Sequence, residues 1–456
     1  MVEIANINRI ANTKFAPYTQ SKAVTGVDVA AINSEKEPLT KYSSENLKAY
    51  IPNFCAGTET PEQKAKLSAI QKLANSETKD SINFLLKSGI LLNNNSNDKS
   101  TVLDNLYLIA TTPRVKGLEA KKLLAETVKA IANPFTITQN FGDMPTGIEN
   151  EILTQKISRA QSPQDLNVRS ASCVATSIEF NLASKQPAEF SRMVAGISSE
   201  NYSVKKVLKL SDIAEGTLEA LWFLNEFNAD YKLKDWDNIE LTLKPDRNAI
   251  VGARVQNSYK DPGERSLVDV LLQSTFMNIG SQGTYDTLTD TRTGKYNPDN
   301  RGLTDIEKNF VEEVVQGRPK VSVTYQILDE EGKLTGYECD FATTQKHILD
   351  ALKLNNNVII GYTQMDENKK VINGHEITII GTETTSDGKL IFICNDTDDG
   401  NSEPIKWAAD ELLPLIHHAG LPKEVLKEDV EFVESWKEVL TDYQNMKNQD
   451  SVKPAA

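Results

Sequence analysis

The chain has 456 residues, 39% hydrophobic and 25% charged, with a net charge of −14. That length and balance suit a globular protein of two or three domains with a sizeable core. The acidic charge, with no Lys/Arg cluster shaped for phosphate, excludes nucleic acid and anionic membrane surfaces as expected partners.

Four cysteines, Cys55, Cys173, Cys339 and Cys394, are too few for a disulfide framework, and none lies in a CxxC. With no HExxH or other ordered His/Cys spacing, neither a metal nor a cofactor is expected. The N-terminus "MVEIANINRIANTKF" lacks a long apolar stretch and carries Glu3 and Arg9, unlike a Sec signal peptide. No run reaches the roughly 18 apolar residues of a membrane span. The expected location is the cytoplasm, or outside by a route that needs no such signal.

Residues 1–45 are polar and aperiodic and read as an extended arm. Residues 46–160 read as a helical domain of four short helices. "TPEQKAKLSAIQKLAN" opens with Thr60 as N-cap, Pro61 at the first helical position and Gln63 completing a capping box. "TKDSINFLLKSG" stops at Gly89. "KSTVLDNLYLIATTP" and "GLEAKKLLAETVKAIANP" each stop at a proline. Such short helices need a packing surface, so this segment is expected to dock on the body that follows it.

Residues 161–440 form the second domain, with an insertion around 185–318. In it "SLVDVLLQSTFMNIG" predicts a buried helix, and "DTRTGKYNPDNRGLTD" a surface loop. After residue 319 the period changes to two. "KVSVTYQIL" and "KLTGYECDF" predict a hairpin, and "TTQKHILDALKLNN" a helix. "NVIIGYT", "HEITIIGTE" and "KLIFICND" predict strands, the last two joined by a turn at Ser386-Asp387-Gly388. "EPIKWAADELLPLIHHAG" predicts a closing helix, and residues 441–456 a frayed tail. Helices first and antiparallel strands after make the fold class α+β.

The chemistry rests on "NVRSASCVATSIEFNLA", residues 167–183. Small residues lead into Cys173, and Val174, Ile178 and Leu182 form the buried stripe of a helix that starts there. A nucleophilic thiol must be a thiolate, a state favoured by a helix N-terminus and a neighbouring imidazole. Four histidines compete for that place. His417 and His418 read as helix C-terminal caps before Gly420, and His347 as part of a solvated or half-buried helix face. His375 follows Gly374 and opens a strand, from which it can project into a cleft. The next strand returns beside it and ends in Asn395-Asp396. Either could orient the ring, and strand alternation lets only one point that way. Glu376 falls on the opposite face and stays out of the site. Cys55, Cys339 and Cys394 read as structural, the last two within strands. "NDTDDGNSE" fails as an EF-hand, because aligning Gly400 with the invariant turn puts Lys406 where the bidentate glutamate belongs.

A cysteine at a helix start, the unit "ILDALKLNNNVIIGYT", a Gly-His strand and a following strand ending in Asn-Asp resemble the papain-like cysteine peptidase superfamily. The tail is most similar to its bacterial branch related to the double-glycine leader peptidases. The resemblance spans about 160–420 and implies a two-lobe fold and a thiol hydrolase, first a peptidase acting on protein or peptide. It implies Cys173 as nucleophile, His375 as base and Asp396 as orienter, with Asn395 the alternative. Asn167, six residues before Cys173, stands where the family has its oxyanion glutamine, and Gln161 and Gln164 are the fallback donors. Val174 stands where a tryptophan is common. An acyl transferase of transglutaminase type would use the same residues. A second reading, supported by the shorter Asn167 and the large insertions, is a non-enzymatic interaction protein on the same scaffold.

Overall fold

The computed structural model describes residues 60–139, 170–209, 212, 239–257, 265–292, 302–397 and 403–426. The N-terminal arm, Cys55, Gln161, Gln164, Asn167, the 441–456 tail and residues 293–301 of the expected surface loop lie outside the described residues. The fold is α+β, with helices and antiparallel sheets.

Helices α1 (Pro61–Leu73), α2 (Ser76–Lys87), α3 (Val102–Thr111) and α4 (Ala120–Ala132) come first. Thr60 and Gln63 form the capping box of α1, and Gly89 takes the left-handed conformation after α2. Helices α5 (Cys173–Lys185) and α6 (Pro187–Ile197) follow, then a two-stranded ribbon of β1 (Val204–Leu208) and β2 (Ile239–Leu243). Helices α7 (Ala249–Asn257), α8 (Leu267–Gly280) and α9 (Asp305–Gln316) complete the helical layer. Helix α8 is buried along almost its whole length. One continuous core joins α1–α4 to α5–α9 through Ile70, Leu106, Leu124, Ile178, Met193, Leu271 and Phe310. The first four helices therefore bury their apolar faces against the layer that carries Cys173.

The main sheet has six strands in the order β3-β10-β6-β7-β8-β9, all antiparallel. They are β3 (Lys320–Thr324), β6 (Val358–Met365), β7 (Val371–Thr384), β8 (Leu390–Asn395), β9 (Ile405–Ala408) and β10 (Ile416–Pro422). A separate hairpin is formed by β4 (Gln326–Leu328) and β5 (Leu334–Tyr337). Helix α10 (Phe341–Lys353) and the short α11 (Ala409–Leu412) cover one face with Ile348, Ala351 and Leu412 against Val358, Ile360, Ile377 and Ile379. On the other face Ile359 joins the helical core, and Phe180 of α5 packs on Ile380 and Phe135. Burying one such phenylalanine contributes about 2–3 kcal/mol.

Several expectations are corrected. "KVSVTYQIL" splits at Tyr325, its first half pairing with β10 and its second with β5. The 404–420 segment is no helix. It is β9, one short helical turn and then β10, a strand between β3 and β6. A strand buried on both faces shows no polar/apolar alternation, so it imitates a helical run. His417 and His418 consequently sit in a strand and cap nothing. His347 is buried, its Nδ1 3.1 Å from the Tyr325 hydroxyl. Cys339 lies after β5, outside any strand. Asp290 and Arg292, at the start of the expected surface loop, are buried.

Candidate active site

Cys173 is the first residue of α5, half-buried and a free thiol. The loop leading to it is clamped by Asp290. One carboxylate oxygen accepts from the Ser170 hydroxyl (2.7 Å) and the Tyr285 hydroxyl (2.9 Å), the other from the Ala171 N–H (2.8 Å). Asp290 holds this position from a left-handed φ of 49°, a conformation that costs a non-glycine residue about 1–3 kcal/mol unless its surroundings impose it.

His375 does not open its strand. It is the fifth residue of β7, opposite Tyr362 in the β6–β7 register. Its Nε2 lies 2.8 Å from Asp396 Oδ1. A carboxylate can only accept, so Nε2 carries the proton and Nδ1 is left for the thiol. Nδ1 is buried without a complete hydrogen bond, and the Cys173 thiol interacts with the same ring. Burial by itself disfavours a charged imidazole. The Asp396 carboxylate outweighs it, helped by Tyr362, by the hydrogen bond to Asp396 and by the Cys173 thiol, and the His375 pKa stands well above the usual histidine range. The Tyr362 ring meets the imidazole edge to face at 5.7 Å and restricts its plane.

Register separates Asp396 from Asn395. The β7–β8 ladder runs as far as Thr378↔Asn395, so Asn395 shares the face of Thr378 and the following residue shares that of Ile377 and His375. Asn395 is buried in the ladder. Glu376, on the other face, is also buried. Its Oε1 lies 2.7 Å from His418 Nε2, and Lys308 Nζ is 3.9 Å from its Oε2. Burial pushes the Glu376 carboxyl up, but His418 and then Lys308 outweigh it and hold the pKa at about 2. Gly361 makes room for this pair, since a Cβ there would run into the His418 ring and Glu376 Oε1.

Segment 138–139 ties the acid to the nucleophile. The carbonyl of Thr397, next to Asp396, accepts from Thr138 Oγ1 (2.8 Å) and from the Gln139 N–H (3.1 Å). The Gln139 carbonyl accepts from the Ser170 N–H (3.1 Å). The structure thus brings Cys173, His375 and Asp396 together and turns Asn395 away. Thr138, Gln139, Gln273, Asp290 and Thr397 escaped the sequence reading because no local pattern marks a residue whose partners lie a hundred or more positions away. Among the described residues no group of His, Cys, Asp and Glu is placed to hold a metal ion. None of their helices is long and apolar enough to cross a membrane. Comparison with protein-family models, with curated proteins and with solved structures gives no match.

Proposed function

We propose that the protein is a papain-like thiol hydrolase acting first as a peptidase, with Cys173, His375 and Asp396 as its catalytic residues. The observation that carries this reading is a buried imidazole held at Nε2 by a partly buried carboxylate while the ring also meets a thiol at a helix start. Cys173 attacks a carbonyl carbon, with its proton passing to His375 Nδ1. The tetrahedral oxyanion faces the first N–H groups of α5, and Asn167 is the side-chain donor assigned by resemblance. Collapse breaks the bond to the leaving amine, which takes the proton from His375. Water attack on the thioester then regenerates the thiol, and an amine in place of water makes the same residues an acyl transferase.

Alkylation with iodoacetamide at pH 6 tests the nucleophile without a known substrate. Cys173 is expected to react well ahead of Cys339 and Cys394. Cys394 is fully buried, and burial pushes its thiol pKa far up. Equal, slow labelling of the cysteines would remove Cys173 as nucleophile and leave the non-enzymatic scaffold as the better reading.

A further inference from the structure

Two acidic side chains meet in the core between α5 and α8. Glu179, on the nucleophile helix, has no exposed surface, and Asp269, in the first turn of α8, is almost as deeply buried. Glu179 Oε2 accepts from Gln273 Nε2 at 3.0 Å. Its other oxygen, Oε1, is buried with no hydrogen-bond donor among the described residues. Asp269 is better served. Its Oδ2 accepts from the Ser266 N–H at 2.8 Å and closes the capping box of α8. The two carboxyl groups also hydrogen-bond to each other. Ionised carboxyl oxygens only accept, so this contact requires a proton on one of them.

The charges around the pair require it as well. Arg265, buried just before α8, acts on both carboxyls. Helix α4 brings Glu126 towards Asp269, with Lys122 3.7 Å from Glu126, and Tyr285 faces Arg265. One guanidinium balances one carboxylate, and a second carboxylate beside the first in this dry core would be strongly destabilising. We propose that Glu179 is a neutral carboxylic acid that donates its proton to Asp269, and that this shared proton makes it the positioning residue joining the nucleophile helix to α8. Asp269 keeps the negative charge because it has the Ser266 N–H, whereas Glu179 Oε1 has no donor. Losing the proton sets two buried carboxylates against each other and loosens the helix that Cys173 begins. Burial first, and the Asp269 charge second, push the Glu179 carboxyl well above 4.5. Its contribution to stability is therefore complete below 4.5 and is lost as the pH rises through the raised value. The link to Cys173 bears on catalysis only under the thiol-enzyme reading above, whereas the shared proton does not depend on it.

The first test is infrared spectroscopy of the wild-type chain at pH 8, where Glu126, at about 7, is mostly ionised. A C=O stretch of a protonated carboxylic acid should be present and should shift when glutamate is labelled with carboxyl ¹³C. Absence of the band overturns the proposal, and so does a band that the label leaves unmoved, since the proton would then sit on Asp269. The second test is Glu179→Gln, whose amide keeps the shape, donates to Asp269 and has no proton to lose. It should abolish most of the band, and equal intensity in the variant overturns the assignment. In urea unfolding its midpoint should match the wild type at pH 5 and exceed it at pH 9. A charged Glu179 would give the opposite, with the variant losing ground as the pH rises, and that result overturns the proposal. If spectra and unfolding come out as expected while Cys173 alkylates no faster than Cys339, the shared proton stands and the thiol-enzyme reading fails.

Discussion

Asp396→Asn and Asp396→Ala separate the charge of the orienting carboxylate from its geometry. Asp396 Oδ1 lies 2.8 Å from His375 Nε2, on an imidazole whose side chain is 4% exposed. Asparagine can still accept that N–H through its amide oxygen but offers no negative charge to the imidazolium. A hydrogen bond to a charged group contributes about 1.5–3 kcal/mol against about 1 for a neutral one. Losing the difference lowers the rate about tenfold, at roughly 1.4 kcal/mol per factor of ten. Alanine removes the partner altogether, and a buried charge left alone costs about 3–5 kcal/mol, or at least a hundredfold. Asn395→Ala should change little, since the register puts that side chain on the face of Thr378, away from the imidazole. The assay is the second-order rate of Cys173 alkylation between pH 5 and 9, with intact-mass readout. Because the folded-state His375 pKa is raised, the imidazolium persists above the ordinary histidine range and is lost as pH rises through the raised value. Both Asp396 variants should therefore lose the imidazolium, and the thiolate it stabilises, first in the window between the ordinary histidine range and the raised value. Equal effects from Asn395→Ala and Asp396→Ala, or a profile unchanged by Asp396→Asn, would refute the argument.

Burial pushes Glu126 from 4.5 up to about 7, with Lys122 opposing and Asp269 adding to the rise. The folded state thus prefers the protonated form, so stability is complete below pH 4.5 and falls by about 3 kcal/mol as the pH rises to about 7. Glu126→Gln should remove that fall while still accepting from the Leu267 and Val268 N–H groups. Urea unfolding at pH 5 and pH 8 measures it, and parallel pH dependence in both proteins would contradict the assignment. Gly361→Ala should destabilise by about 1–3 kcal/mol through overpacking where its Cβ meets His418 and Glu376, and an unchanged Tm would show that the strands yield freely there. Asp290→Ala leaves Ser170, Ala171 and Tyr285 without their shared acceptor. It should lower both Tm and Cys173 alkylation, and loss of neither would mean the nucleophile loop is held by other contacts.

Local rules in the sequence already determined the helix starts at Thr60 and Cys173, the left-handed turn at Gly388 and the order of Cys173, His375 and the Asn395-Asp396 pair. These depend on capping groups, backbone freedom and strand period, which act over a few residues. Tertiary structure alone decided between Asn395 and Asp396, because alternation says that neighbours diverge and only register says which faces the ring. It likewise decided His417 and His418. Strand β10 lies between β3 and β6 and is buried along almost its whole length, and a segment whose two faces are both buried carries no period to read. The Gln273 amide is the extreme case. Its partners Ser172, Thr138 and Glu179 come from other elements. A glutamine inside an apolar helical run shows its purpose only when packing has removed water and left each of its hydrogen bonds a single possible partner.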